Sequence, residues 1–216
     1  YDWPRENSPN TPFAEKVSYL KKSSSVPEAE VTALKNAYFN SVRHADRVLK
    51  KIIDSLQRTG NANKTLVIVT GDHGEEFFEN GYFGHTSNFA QQQVRVPFLV
   101  AGPGVTPGAE TRPSSHLDLP VTLLEHLGAD PAIRKDWAQG ENLFALPDRR
   151  DRIVGGWHEV ALWMDGGILH VPLEGHRGFA SPMDWHWKPH PEGEKFLRQH
   201  TPEMAKLARD LRTFLR

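Results

Sequence analysis

An adjacent carboxylate and imidazole, Asp72 and His73, are the residues of this 216-residue chain best suited to chemistry. Neighbouring side chains on an extended strand point to opposite sides, so both can reach one ion only where the backbone turns sharply. Gly71 and Gly74 flank the pair and permit such a turn, because glycine accepts a positive φ at little cost. A carboxylate oxygen with an imidazole nitrogen favours Zn²⁺ or Mn²⁺ over Mg²⁺ and Ca²⁺. The pair therefore predicts half of a divalent metal site. The alternative is an Asp that caps a helix, followed by a solvated His.

Other ionisable residues near this pair are weaker candidates, because ordinary structural roles explain them. Glu75 and Glu76 could orient His73, but we expect exposed carboxylates at a helix start, favoured by the helix dipole, and leave both out of the site. His116 and Asp118 could form a second ligand pair, although helix capping and packing explain them better.

Two clusters occur later in the chain. Aromatic residues in a Pro-rich segment could stack on a lipid headgroup or a sugar, but an aromatic lid over the edge of a core is the expected role. A group of arginines could pair with phosphates, but a solvated turn is expected. The residues are Trp185, His186, Trp187 and His190 in the first cluster, and Arg149, Arg150 and Arg152 in the second.

Two short apolar segments, 65–70 and 97–100, bracket the polar segment 71–96 that carries the candidate site. Unalternated runs rich in β-branched residues are typical of strands buried on both faces of a parallel sheet. Helix, strand, long loop, strand, helix is the order of an α/β sandwich, whose sites form at the carboxyl ends of parallel strands. The remaining predicted elements are helices from about Pro27 to Gly60 and over 117–127, strands at 153–154, 160–164 and 168–171, and a final helix from about Glu194.

Composition limits the possible function classes. Lys and Arg total 26 against 27 Asp and Glu, and the formal net charge is -1, so no basic field exists to hold nucleic acid. The chain has no cysteine, which excludes disulfides, thiolate metal ligands and a Cys nucleophile among these residues. No apolar run approaches the ~20 residues that cross a bilayer. Because the chain begins at Tyr1 in a Pro-rich stretch without Met, we expect it to be part of a longer protein.

Several separate blocks resemble, in order, the carboxy-terminal half of the alkaline phosphatase/sulfatase superfamily. They are 65–75, Gly84 with His85, 96–100 and 102–104, followed by 115–124, Gly128 and 140–143. The resemblance covers about residues 28 to 146. It implies an α/β fold, namely a three-layer αβα sandwich with a mostly parallel sheet. Residues 28–216 would be the carboxy-terminal part of that domain, and residues 1–27 a loop or linker.

Within the superfamily, residues 84–89 and the later Gly155 and Gly156 look most like sulfatase-type periplasmic domains of inner-membrane proteins in Gram-negative envelopes. This likeness implies a periplasmic location, with membrane attachment through segments outside this chain. Phosphoethanolamine and phosphoglycerol transferases share the Asp-His-Gly-Glu and Gly-His blocks and are close alternatives.

By the resemblance, Asp72 and His73 match two metal ligands, and His85 matches a His that faces the sulfuryl or phosphoryl oxygens. The family's nucleophile and its remaining acidic ligands lie in an amino-terminal half that would precede Tyr1. We therefore expect the full-length protein to be a metal-dependent hydrolase of sulfate or phosphate esters, with a lipid headgroup among the candidate substrates, and the chain alone to be inactive. The alternative is a non-catalytic periplasmic domain that binds lipid or a protein partner, because fold does not settle function.

Overall fold

The computed structural model describes residues 26–136, 138–148, 151–174 and 179–214. The chain divides after Gly108 into two units, each with its own internal contacts. The expected loop at 1–27 lies almost wholly outside the described residues, as do Arg149 and Arg150. None of the helices in the described ranges combines the length and the apolar character that crossing a bilayer requires.

The first unit opens with a long amphipathic helix, α1 (Glu28–Arg58). The helix begins directly after Pro27, whose carbonyl oxygen accepts hydrogen bonds from the amides of Glu30 and Val31 at 2.9 and 3.2 Å. Proline suits this place because its fixed φ is compatible with a helix start and its missing N–H is not needed there. At the other end, Gly60 has a φ of +69°, in the left-handed region where glycine commonly ends a helix. The predicted helix is confirmed.

Strands β1 (Val67–Thr70) and β4 (Phe98–Ala101) pair with each other antiparallel, with Thr70 opposite Phe98. The sequence analysis placed both segments in a parallel sheet, and for this pair that direction was wrong. An unalternated apolar run indicates that both faces of a strand can be covered, but it carries no information on the direction of its neighbour. The chain leaves β1 and enters β4 at the same end of the pair, which makes the two strands antiparallel. Every strand pair in the described ranges is antiparallel.

A short hairpin and one helical turn occupy the segment between β1 and β4. Strand β2 (Glu76–Phe77) pairs antiparallel with β3 (Phe83–Gly84), and α2 spans Gln91–Val94. Phe83 of the hairpin is buried against Leu34 of α1, so apolar burial holds the hairpin on the helix. Val26, Phe77 and Phe78 pack around these two residues.

The second unit contains a four-stranded antiparallel sheet in the order β5-β6-β7-β8. Its strands are β5 (Arg152–Gly155), β6 (Glu159–Met164), β7 (Gly167–Pro172) and β8 (Ser181–Met183). Its helices are α3 (Asp118–His126), α4 (Gly193–Gln199) and α5 (Thr201–Phe214). One buried apolar cluster of this unit is formed by Leu162, Met164, Leu169, Phe196 and Leu207.

The second unit confirms the predicted helix over 117–127 and the three predicted strands. The single helix predicted from about Glu194 is instead two helices, α4 and α5, with His200 between them. Pro202 accounts for the break, because proline has no N–H to donate to the carbonyl four residues earlier.

Candidate active site

Asp72 and His73 lie directly after the end of β1, in a bend without regular secondary structure. Asp72 Oδ1 accepts a hydrogen bond of 3.0 Å from the amide of His73. No helix starts at Asp72, so this carboxylate does not cap one. The Asp72 side chain is 89% exposed and that of His73 is 44% exposed, so both can reach a bound ion or ligand.

Backbone hydrogen bonds lower the pKa of the Asp72 carboxyl. The bond from the His73 amide contributes most, and together with the nearby His73 ring it lowers the pKa of the Asp72 carboxyl below its ordinary value of 3.8. The group therefore stays a carboxylate at any pH near neutrality, which is the form that binds a cation.

The ring of His73 is held in one tautomer by its neighbour. Its Nδ1 lies 3.0 Å from the carbonyl oxygen of Gly74. Because a carbonyl oxygen can only accept, Nδ1 carries the hydrogen, and in the neutral ring the lone pair is on Nε2. This Nε2 lies 3.6 Å from Asp72 Oδ2. Two ligands of one ion, at bonds of about 2.1 Å, lie about 3.0–3.5 Å apart. The donor types and their separation therefore fit a divalent ion.

The β2–β3 hairpin brings His85 back to this pair. Glu76 lies opposite Gly84 in the hairpin, so one step further along the register places Glu75 opposite His85. The rings of His85 and His73 have centroids 3.9 Å apart and planes inclined by 32°. The structure thus brings together all three residues assigned to the site from the sequence, and their chemical roles remain predictions.

Glu75 is part of this arrangement, although the sequence analysis left it out. Its Oε2 lies 3.2 Å from His85 Nδ1. Its other oxygen, Oε1, is buried and has no hydrogen-bond partner among the described residues. The sequence signal for this contact is a hairpin, in which Phe77 and Phe83 pair across a turn at Gly81. Extending that pairing by two residues places Glu75 opposite His85.

The prediction that Glu76 is an exposed carboxylate at a helix start is wrong. It is fully buried in β2, where no helix begins. Backbone amides of Asn80 and Tyr82 donate to its Oε1 at 2.7 and 3.2 Å. The side chains of Asn88 and Gln93 donate to its Oε2 at 2.7 and 2.8 Å. A buried carboxylate that accepts this many hydrogen bonds is a structural anchor for the loop.

Backbone strain lies next to His85. Thr86 has a φ of +69°, a left-handed conformation that β-branched residues rarely adopt. Gly84, on the other side, has a φ of +104°. Residues held in sparsely populated conformations often cluster at functional sites.

Two further candidates from the sequence, Asp118 and Arg152, make contacts of a structural kind. Asp118 is fully buried, and its two carboxylate oxygens accept hydrogen bonds from the amides of Ser115 and Glu141 at 2.7 and 2.8 Å. The expected packing role is therefore confirmed for Asp118, but the expected capping role is not, because neither donor amide belongs to α3, whose start has no side-chain cap. Arg152 donates to the backbone carbonyls of Pro113 and Asp151.

The aromatic cluster packs on the sheet of the second unit, as a lid over the edge of a core would. Trp185 lies against Trp163 with centroids 4.9 Å apart, and Trp187 meets His170 edge-on at 5.3 Å. His190 stacks on Phe196 at 4.8 Å.

Within the ranges that the structure describes, no group of three or more His, Asp or Glu side chains is arranged to hold a metal ion. Asp72 and His73 are thus a pair of donors and not a complete set. A site built on them needs further ligands.

Comparison with known proteins identifies the family. A family model described as Sulfatase matches residues 6–129. Choline-sulfatase of Rhizobium meliloti is 32% identical over 127 residues, which are 59% of this chain and 25% of that protein. Arylsulfatase K of Danio rerio is 34% identical over 102 residues, or 47% of this chain and 19% of that protein. The chain thus spans a quarter or less of the length of these curated relatives.

Solved structures show the same fold. The phosphonate monoester hydrolase of Silicibacter pomeroyi matches with a TM-score of 0.64 at 19% identity, over 86% of this chain and 41% of that one. An enzyme solved with its substrate D-glucosamine-2-N,6-O-disulfate matches with a TM-score of 0.64 at 13% identity, over 85% and 41% of the two chains. These similarities confirm the expected α/β fold of the alkaline phosphatase/sulfatase type. With the family model matching more than half of its residues, the chain belongs to the sulfatase family.

Proposed function

We propose that the full-length protein is a metal-dependent hydrolase of sulfate or phosphate esters and that this chain supplies part of its site. The observation that carries the proposal is the convergence of three side chains after β1. Asp72 and His73 present donor atoms 3.6 Å apart, and the ring of His85 lies 3.9 Å from that of His73. Membership of the sulfatase family and the likeness to a phosphonate monoester hydrolase support this reaction class.

Asp72 Oδ2 and His73 Nε2 are the atoms that would hold the ion, and the nitrogen favours Zn²⁺ or Mn²⁺ over Mg²⁺ or Ca²⁺. A bound divalent ion lowers the pKa of a nucleophile and offsets charge on the transferred group. The Asp72 carboxylate supplies the negative charge that binds a cation. The Gly74 carbonyl, 3.0 Å from His73 Nδ1, keeps the ring in the tautomer whose Nε2 can ligate.

His85 is the residue that we assign to the oxygens of the sulfuryl or phosphoryl group. Its Nδ1–H is donated to Glu75 Oε2 at 3.2 Å, which fixes the orientation of the ring. When the ring carries a hydrogen on both nitrogens, its Nδ1–H faces Glu75 and its Nε2–H can donate to a substrate oxygen. In enzymes, removal of one such donor costs about 10²–10³-fold in kcat.

We propose that the nucleophile and the remaining metal ligands come from parts of the protein outside this chain, so that the chain alone is inactive. A periplasmic location, with membrane attachment through segments outside the chain, is likewise a proposal that rests on the resemblance of residues 84–89. Fractionation of cells that produce the full-length protein tests the location.

The proposed activity is tested with the full-length protein, an aryl sulfate and an aryl phosphate, and Zn²⁺, Mn²⁺, Mg²⁺ or Ca²⁺ added to metal-free protein. Asp72→Asn and His73→Ala should each weaken metal binding, measured by calorimetric titration, and reduce hydrolysis at least about 10²-fold. His85→Asn should reduce kcat about 10²–10³-fold with little change in metal affinity. His44→Ala, an exposed His on α1, is the matched control and should leave both unchanged.

The outcomes separate the alternatives. Wild-type hydrolysis by Asp72→Asn would show that the assigned metal role is wrong. A wild-type protein that binds the metal but transfers the group to an added alcohol faster than to water would be a transferase of the phosphoethanolamine or phosphoglycerol type. A wild-type protein without activity towards either ester, with any of the four ions, would favour a non-catalytic binding domain.

A further inference from the structure

One buried amide, Gln93 of α2, connects the two stretches of chain that carry the histidines of the site. We propose that Gln93, anchored by the buried carboxylate of Glu76, is the positioning residue that holds His85 against His73. This inference rests on the proposed function for its kinetic readout. It concerns residues other than Asp72, His73 and His85, to which the proposed function assigns the metal and the substrate oxygens.

The main chain of α2 holds the His73 side of the site. The amide of Gly74 donates a hydrogen bond of 2.8 Å to the carbonyl oxygen of Gln93. The backbones pass so closely that a Cβ at Gly74 would lie 2.0 Å from the carbonyl oxygen of Gln92. Gly74 also accepts from the His73 ring, so the position of this ring depends on the contact with α2.

The side chain of Gln93 holds the His85 side. Its Oε1 accepts from the amides of Ser87 and Asn88 at 3.2 and 3.4 Å. Its Nε2 donates to Ser87 Oγ at 2.6 Å. These contacts fix the two residues that follow His85 and Thr86, so the amide group fixes the exit of the chain from His85.

Glu76 orients the Gln93 amide. Gln93 Nε2 donates to Glu76 Oε2 at 2.8 Å, and a carboxylate can only accept, so the amide nitrogen must face Glu76 and the amide oxygen must face Ser87. Gln93 is 4% exposed and Glu76 is fully buried. Buried polar groups that satisfy one another specify one arrangement, because any other leaves donors or acceptors without partners.

We call the hydrogen-bonded set of Gly74, Glu76, Ser87, Asn88 and Gln93 the brace. Substitution can separate its main-chain bond to Gly74 from its side-chain bonds to Ser87 and Asn88. Gln93→Ala removes the side-chain bonds to Ser87 and Asn88 but retains the main-chain bond to Gly74. We therefore expect His85 to lose its fixed position while Asp72 and His73 keep theirs. A purely structural role of Gln93 would instead affect both sides of the site together.

The kinetic test compares Gln93→Ala with Gln91→Ala in the full-length protein. Gln91 lies on the same helical turn, and its side chain makes no hydrogen bond to the loop in the described part of the chain. Gln93→Ala should lower kcat about 10–100-fold, since displacement of a catalytic group by about 1 Å can cost 10²-fold. Its KM and its metal Kd should change less than about threefold, because the lost interaction acts in the transition state. Gln91→Ala should match the wild type.

A swap of the amide and the carboxylate tests orientation at constant size. Gln93→Glu places a second carboxylate against Glu76 and should lower kcat more than Gln93→Ala does. Adding Glu76→Gln removes the repulsion between the two carboxylates and lets the Gln side chain donate to the new Glu, while its oxygen still accepts from Asn80 and Tyr82. The new amide nitrogen also faces Asn88 Nδ2, a donor that Glu76 Oε2 accepts from in the wild type, so the recovery is partial. The double variant should therefore have a higher kcat than Gln93→Glu alone but a lower one than the wild type.

An NMR measurement that requires no catalysis can test this inference even if the proposed function is wrong. In metal-free, His-labelled full-length protein, the ring current of His73 should shift the ring-proton resonance of His85, which is assigned with His85→Asn. Gln93→Ala should move this resonance towards that of an exposed His even if the protein hydrolyses no ester. For Gln93→Ala, the inference is overturned if the His85 resonance does not move, if kcat stays within about twofold of the wild type, or if metal affinity falls in proportion to kcat. It is also overturned if the double variant has a kcat no higher than that of Gln93→Glu.

Discussion

Gly74 is the position where the smallest substitution should have the largest effect on the site. In Gly74→Ala, the new Cβ would lie 2.0 Å from the carbonyl oxygen and 2.9 Å from the carbonyl carbon of Gln92. Carbon–oxygen contacts normally begin at about 3.3 Å, so α2 must move away by more than about 1 Å. That movement breaks the 2.8 Å hydrogen bond from the Gly74 amide to Gln93. Overpacking costs about 1–3 kcal/mol and a lost buried hydrogen bond about 1–3 kcal/mol, so unfolding should become easier by about 2–6 kcal/mol.

The assay pairs denaturant unfolding with calorimetric metal titration of the full-length protein. Gly140→Ala is the matched comparison, because its Cβ would lie 1.8 Å from the carbonyl oxygen of Leu117, in the second unit. Both variants should lose comparable stability, but only Gly74→Ala should raise the metal Kd, by about tenfold or more, since only it displaces His73. Gly108→Ala, with nothing within 4 Å of its Cβ, should change neither. A Gly74→Ala variant as stable as Gly108→Ala would refute the reasoning.

Two further predictions concern the second unit. Asp118→Asn should lower the free energy of unfolding by about 1–3 kcal/mol, because the amide nitrogen must face the Ser115 or the Glu141 amide; an unchanged denaturant midpoint would contradict this. The hydrogen-bonded guanidinium of Arg112 lowers the pKa of Glu110 from 4.5 to about 2, and Arg112→Gln should return this titration, followed by NMR, towards 4.5. Because the folded pKa is depressed, any stabilisation by this pair is complete above pH 4.5 and declines as the pH falls towards 2.

The parts of the site that the sequence predicted are those carried by local signals. The flanking glycines indicate a turn at Asp72 and His73, and the apolar runs indicate β1 and β4 on either side. The position of His85 came from the resemblance, and the structure places its ring 3.9 Å from that of His73. The long amphipathic helix α1 was predicted because its apolar stripe extends over many turns.

The features that the sequence analysis missed depend on register and on contacts between distant residues. Glu75 faces His85 only because Glu76 pairs with Gly84, and two-residue strands leave almost no alternation to detect. Glu76 and Gln93 lie 17 positions apart, and nothing in either residue type indicates that they meet. The direction of β4 was missed for the same reason, since it follows from how the intervening loop closes.

The antiparallel pairing of β1 and β4 has a consequence for how the site is held. Because Thr70 lies opposite Phe98, the segment between them is a loop whose ends meet. Asp72, His73 and His85 each make a hydrogen bond to another residue of that loop. Closing such a loop has an entropic cost that grows only slowly, as about (3/2)RT ln n with the number n of its residues. The bond from Gly74 to Gln93 and the buried carboxylate of Glu76 offset this cost with interactions that also set the spacing of His73 and His85. The same contacts therefore stabilise the loop and define the geometry of the site, so a substitution that loosens the brace should lower activity before it unfolds the rest of the protein.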